Sequence, residues 1–135
     1  MSVISETTNK ALVLVAFDTL FNKRDFRAAE QYWSPDLVLH GAHIGPGREG
    51  LFDFVTAAPQ SLKYEPGMIV ADDDLVVVYG RLSSTGRPRN WIIATFVRID
   101  GGRLVEQWDV MEDEASQAET LSGRPMFGER FPETP

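Results

Sequence analysis

The sequence predicts an α+β domain whose helices come first and whose antiparallel sheet follows. Three observations carry this. Helix-spaced apolar residues with capping and stop signals fill the first part of the chain. From Met68 onward, β-branched and aromatic runs are separated by short polar turns. No internal repeat and no strand–helix alternation continues past the third helix, so a parallel doubly wound sheet is excluded. In that order of elements, helices cover one face of a curved sheet whose other face meets solvent or a partner subunit.

Ser5 offers a capping hydroxyl ahead of Glu6, and a stripe of Leu12, Val15, Ala16 and Leu20 follows, widened by Leu14, Phe17 and Phe21. Asn22-Lys23-Arg24 interrupts that helix. Asp25 can cap a second one running through Phe26, Ala29 and Tyr32 to Trp33, where Ser34 and Pro35 stop it. Leu37 to Leu39 read as a brief strand ending at His40. A Gly- and Pro-rich loop leads to Gly50, and a third helix runs from Leu51 to about Ala58, ended by Pro59. Met68–Ala71, Leu75–Leu82, Trp91–Ile99 and Leu104–Met111 are the predicted strands. Their turns are Asp72-Asp73-Asp74, Ser83 to Pro88 and Asp100-Gly101-Gly102. Residues 1–113 form a single domain in this reading. Residues 114–135 are a tail, rich in Glu, Ser, Gly and Pro, that drapes over the domain or frays, with Met126 and Phe127 as its anchors.

Composition narrows the function. The chain has 135 residues, 43% of them hydrophobic, enough for one buried core. Its 13 Lys+Arg against 20 Asp+Glu give a net charge of −7, which argues against nucleic acid as a partner, since phosphate binding needs clustered cations. The absence of cysteine removes disulfides, thiolate nucleophiles and cysteine metal sites, and makes the cytoplasm the expected compartment. The longest apolar run, Ala11 to Phe17, falls far short of the roughly 20 residues that span a bilayer, so neither a membrane anchor nor a signal peptide is expected.

Several constellations could carry chemistry. Gly45-Pro46-Gly47-Arg48-Glu49-Gly50 spells a dinucleotide fingerprint, yet the parallel units that motif needs are missing, so it reads as a tight entry into the third helix. His40 and His43 lack cysteine partners or a zincin spacing, and no metal is expected. His40 at a strand end is a candidate acid or base. Strict alternation in the last strand places Val105, Gln107, Asp109 and Met111 on one face, with Leu104, Glu106, Trp108 and Val110 on the other. If the helices cover the Asp109 face, that carboxylate is desolvated, its proton affinity rises, and it suits proton abstraction next to a carbonyl. Asp72-Asp73-Asp74 lacks the spacing of a calcium loop and reads as a solvated turn. Arg81, Arg87, Arg89 and Arg98 could receive an acidic ligand, although solvated edge charges are the simpler account. Tyr32, Trp33, Phe52, Phe54, Tyr79, Trp91 and Phe96 either line an apolar pocket or fill the core.

Taken together, Asn22-Lys23-Arg24-Asp25 between helices, His40 followed by Gly47-Arg48-Glu49-Gly50, and Gly102-Arg103-Leu104-Val105-Glu106-Gln107-Trp108-Asp109-Val110 resemble the SnoaL-like polyketide cyclase branch of the NTF2-like superfamily. Met126-Phe127 is similar to the tail of that branch. The resemblance implies a cone of three helices against a strongly bent, mostly antiparallel sheet, an apolar interior pocket, a homodimer and no cofactor. It also implies a general acid/base at Asp109 for an intramolecular aldol closure, with His40 at the first strand's end. Gln107 stands where many relatives have histidine, and Gly41-Ala42 replaces a frequent Asn-Pro. Phe17 and Thr95 align with the oxyanion donors of the related ketosteroid isomerases, which disfavours that chemistry.

The sequence therefore predicts a cofactor-free cyclase or isomerase acting on a small hydrophobic carbonyl compound. Asp109 is its base and His40 its donor, with Tyr32, Trp33, Phe54, Tyr79, Thr95, Gln107 and Met111 about the substrate. The alternative is a non-catalytic module that binds a small molecule, in which Asp109 is only a hydrogen-bond partner.

Overall fold

The structure, a computed structural model, describes residues 3–132. Helix α1 (Val3–Phe17) passes directly into a π-helical turn (Asp18–Asn22), and α2 (Phe26–Ala29) follows. Strand β1 (Trp33–Gly41) and helix α3 (Gly47–Ala57) precede β2 (Lys63–Asp72), β3 (Leu75–Ser83), β4 (Trp91–Asp100) and β5 (Arg103–Asp113). The five strands lie in the order β1-β5-β4-β3-β2, antiparallel throughout except for the parallel β1–β5 pair. The three helices pack on one face, giving the α+β arrangement the sequence predicts.

Four local expectations change. Ser5 lies inside α1, which is already under way at Val3. The helix and the π-helical turn that continues it bury Val13, Ala16, Phe17 and Leu20, an i, i+3, i+4, i+7 set, and turn Val15 outward at 49% exposure. Helix α2 ends at Ala29 instead of reaching Trp33, because β5 captures the chain there: the Leu104 amide donates to the Tyr32 carbonyl at 2.8 Å, and Trp33 opens β1. In β5 the strict alternation breaks. Arg98 pairs with Glu106 and Ile99 with Leu104, so Val105 is the extra residue of a β-bulge. Leu104, not Val105, consequently shares the buried face with Gln107 and Asp109.

The motif residues hold the layers together. Asp25 accepts from the Ala28 amide at 3.1 Å and caps α2. Arg24 donates to the carbonyls of Pro59 and Ala58 at 3.2 and 3.3 Å, where α3 ends. Arg48 donates to the carbonyls of Glu30 and Trp33 at 3.3 and 3.2 Å. The glycine-rich loop is a packed helix entry: a Cβ on Gly50 would sit 2.1 Å from the Gly45 carbonyl.

The core lies between helices and sheet, around Phe17, Leu20, Trp33, Leu51, Val55, Val78, Leu82, Ile93, Val97 and Leu104. The opposite sheet face carries Val38, Phe96, Trp108 and Val110, with Val110 63% exposed. After β5 the tail crosses part of that face. Buried Glu114 accepts from Arg81 Nε at 2.9 Å and Nη2 at 2.5 Å, and from Asn90 at 3.0 Å. Arg81 lies over the Phe127 ring at 4.8 Å, and Met126 offers its carbonyl to the Tyr79 hydroxyl at 2.6 Å. Among the described residues no helix is long and apolar enough to cross a membrane.

Candidate functional site

Asp109 projects from β5 into the helix-covered interior and is only 9% exposed. Its partners are all neutral. Thr95, opposite it on β4, donates its hydroxyl to Oδ1 at 2.9 Å. Gln107 Nε2 lies 3.0 Å from Oδ2 and 3.3 Å from Oδ1. The Gln107 amide is itself oriented, because Trp33 Nε1 donates to Gln107 Oε1 at 2.9 Å. A chain of donors therefore runs from β1 through Gln107 to the carboxylate. Burial pushes the Asp109 pKa up to about 6 from its ordinary 3.8, against the opposing pull of the hydrogen bonds from Gln107 and Thr95. At neutral pH the group is largely ionised yet readily takes a proton, which is the balance a general base needs.

Facing this network is a residue the sequence reading passed over. Tyr64, on β2, is buried, and its hydroxyl is the buried side-chain atom that lacks a hydrogen-bond partner among the described residues. Burial first, and the Asp109 charge second, hold its pKa well above the ordinary phenol range, so it remains a neutral donor. Its backbone is clamped by Asn22, which donates to the Tyr64 carbonyl at 3.0 Å and accepts from the Tyr64 amide at 2.7 Å. Phe21 stacks on the ring at 5.4 Å and Phe17 meets it edge-on at 5.4 Å. The ring end lies over Gly80, where a Cβ would come within 2.6 Å of the hydroxyl. Gly80 in the middle of the β-branched β3 run was the available signal, since a strand glycine marks a close approach.

The structure does not bring His40 to Asp109. The parallel register pairs His40 with Trp108, one residue from Asp109 and therefore on the opposite sheet face. There His40 stacks on Trp108 at 4.9 Å and bonds Glu106 Oε2 at 2.8 Å. Tyr79 also departs from expectation: alternation along β3 sends it to the outer face, beneath the tail. Trp33, Thr95 and Gln107 join Asp109 in the interior, and Met111 is half-buried against the same core. Tyr32 is half-buried at the core's edge. Phe54 stacks on Trp91 at 5.7 Å, and both line an apolar hollow of about 190 Å3 with Ala57, Ala58, Leu62 and Thr85.

The remaining candidates have structural partners. Arg98 pairs with Asp74 at 3.1 Å, and Arg87 with Asp113 at 2.8 Å while lying over Trp91. Arg89 pairs with Glu119 of the tail. Asp73 takes a positive φ of 54° in the β2–β3 turn. His43 lies against Trp91 at 5.6 Å. Among the described residues no three His, Asp or Glu side chains gather as a metal site would require.

The SnoaL-like domain family matches residues 14–107, more than half of the chain and ending two residues before Asp109. No curated protein sequence matches. Among solved structures, a protein assigned as a ketosteroid isomerase from Kribbella flavida DSM 17836 is similar at a TM-score of 0.70 and 21% identity, over 95% of this chain and 93% of its own. A SnoaL-like polyketide cyclase by assignment, from Jannaschia sp. CCS1, gives 0.68 and 19%, over 83% and 90%. IdmH of Streptomyces antibioticus, assigned as a polyketide cyclase, gives 0.60 and 23%, over 82% and 94%. These likenesses establish the fold, and the family match establishes more: the chain belongs to the SnoaL-like domain family.

Proposed function

We propose that this protein is an acid–base catalyst for a small hydrophobic carbonyl compound, in the manner of a polyketide cyclase or an isomerase. The carrying observation is Asp109, a carboxylate buried among neutral donors with its pKa raised to about 6. In the ionised form it takes a proton from the carbon next to a carbonyl, and the C–H electron pair moves into the enolate. For an isomerisation the proton returns at another carbon. For a cyclisation the enolate carbon forms a bond to a second carbonyl carbon of the same molecule, and the new alkoxide receives the proton. The names of IdmH and the Kribbella protein support the same two reaction types.

The apolar hollow at Phe54 and Trp91 is the entrance in this reading. Trp91 shares the inner face of β4 with Thr95, four residues and about 13 Å away, and Ile93 with its neighbour Met111 lies between. His40 takes no part. A homodimer would form through the outer face of Val38, Phe96, Trp108 and Val110, where apolar side chains stand exposed beside the tail.

A second reading, a binding module without turnover, is favoured by the full engagement of both Asp109 oxygens. One experiment separates them. Deuterium uptake at the α-carbons of 2-tetralone in D2O, followed by NMR, is accelerated by the wild-type protein if Asp109 is a base. Asp109→Asn then lowers it by about 10²–10⁴-fold with ligand affinity nearly unchanged. Wild-type protein that binds the ketone without exchange supports the module instead.

A further inference from the structure

We propose that the Tyr64 hydroxyl is the hydrogen-bond donor that receives the oxygen of the bound ketone, and holds it as enolate, while the α-carbon lies against Asp109. This rests on the acid–base reading and adds to it the group that stabilises the developing charge. A carboxylate alone leaves the enolate oxygen bare in a dry interior, where unpaired negative charge is costly. Neither Phe17 nor Thr95 meets the need, since Phe17 has no hydroxyl and Thr95 is committed to Asp109.

The placement follows from register. Tyr64 pairs with Leu82 on β3, and its ring leans along that strand over Gly80. Gly80 pairs with Ile93 on β4, and the next inner-face residue of β4, Thr95, holds the Asp109 carboxylate from the other side. Hydroxyl and carboxylate thus flank β4, one to two strand spacings apart across the sheet and within two residues along it, near enough for the Asp109 charge to act on the phenol. One hydrogen bond, an O=C–C unit and a close carbon–carboxylate contact span that gap.

The preparation of Tyr64 argues against a merely structural ring. Two hydrogen bonds from Asn22 fix its backbone, Phe17 and Phe21 fix its plane, and a glycine clears the space for its oxygen. A phenylalanine would satisfy every one of those contacts. The hydroxyl contributes none of them, and a buried donor without a partner is destabilising. Its value lies in what it donates to when a ligand is bound.

Tyr64→Phe tests this with two probes. For 2-tetralone exchange, kcat is expected to fall about 10²-fold with KM changed little, while the unfolding midpoint stays the same or rises. For 2-naphthol, whose oxygen mimics the enolate, Kd is expected to rise at least about tenfold, with naphthalene binding unchanged. If Asp109→Asn abolishes exchange and Tyr64→Phe matches wild type, the donor assignment is overturned and the base reading stands. If the wild type gives no exchange, the base reading fails, and naphthol decides alone: a tenfold loss in Tyr64→Phe supports the donor. Equal affinity, or no wild-type binding, overturns it.

Discussion

Replacing Asp109 by Asn should make this protein more stable at neutral pH, not less. The carboxylate's pKa is about 6 in the fold against an ordinary value of 3.8, a gap worth about 3 kcal/mol at 1.36 kcal/mol per tenfold change in proton affinity. The sign follows from linkage. Below about pH 4 the group is protonated in both folded and unfolded chains, and its burial carries no charge penalty. As pH rises toward 6 the unfolded chain releases the proton first, so stability is lost through that window and the full penalty stands above it. An amide escapes the penalty and keeps the geometry, because its oxygen still accepts from Gln107 and its NH2 can donate to the Thr95 hydroxyl. Weaker hydrogen bonds from a neutral acceptor return part of the gain, leaving about 1–3 kcal/mol. Urea unfolding followed by tryptophan fluorescence reads this as a midpoint shift of roughly 0.7–2 M at neutral pH, for a slope near 1.5 kcal/mol per molar. The difference between variant and wild type should shrink steadily on acidification and nearly vanish near pH 4. A gap that is the same at both ends, or a variant less stable at neutral pH, would refute the claim that Asp109 is ionised at the expense of the fold.

Gln107→Leu removes a donor that lowers the Asp109 pKa, so the acidic limb of the pH–rate profile for ketone exchange should move above 6. The orphaned Trp33 indole N–H should also reduce stability by about 1–3 kcal/mol in urea. Glu114→Gln keeps the shape but removes the charge facing Arg81; brief trypsin treatment should then cut after Arg130 while the domain stays folded, and a tail as resistant as wild type would contradict the role of that ion pair in holding the tail. Val110→Lys places a charge on the outer sheet face. Sedimentation should then show a monomer for the variant and a dimer for the wild type, with tetralone exchange unchanged, and a wild type that sediments as a monomer would refute the proposed dimer face.

The helices-then-sheet order, the five strands and the common face of Gln107 and Asp109 are legible because alternation and stop signals are local, whereas which face the helices cover is not a local property. What was lost depends on partners distant in sequence. Helix α2 stops at Ala29 because Tyr32 is claimed by Leu104, a contact no window around Trp33 contains. Val105 bulges because β4 and β5 must reconcile their registers, so a simple count of alternation put the wrong neighbour inside. His40 was paired with Asp109 on the strength of a resemblance, yet the parallel β1–β5 register sends it to the opposite face. Tyr64 lies outside the predicted strand, which begins only at Met68, because the start of β2 is held by the Asn22 side chain as well as by β3.

Consecutive positions of β5 answer to separate demands. Gln107 and Asp109 are constrained by what happens inside the domain, whereas Glu106, Trp108 and Val110 meet whatever lies against the sheet from outside. Substitutions at Glu106, Trp108 and Val110 can therefore alter the outer face without disturbing the Asp109 hydrogen bonds, and those at Gln107 and Asp109 the reverse. A single-residue insertion or deletion beyond the bulge has no such freedom, because it exchanges the two sets and turns the inner residues outward.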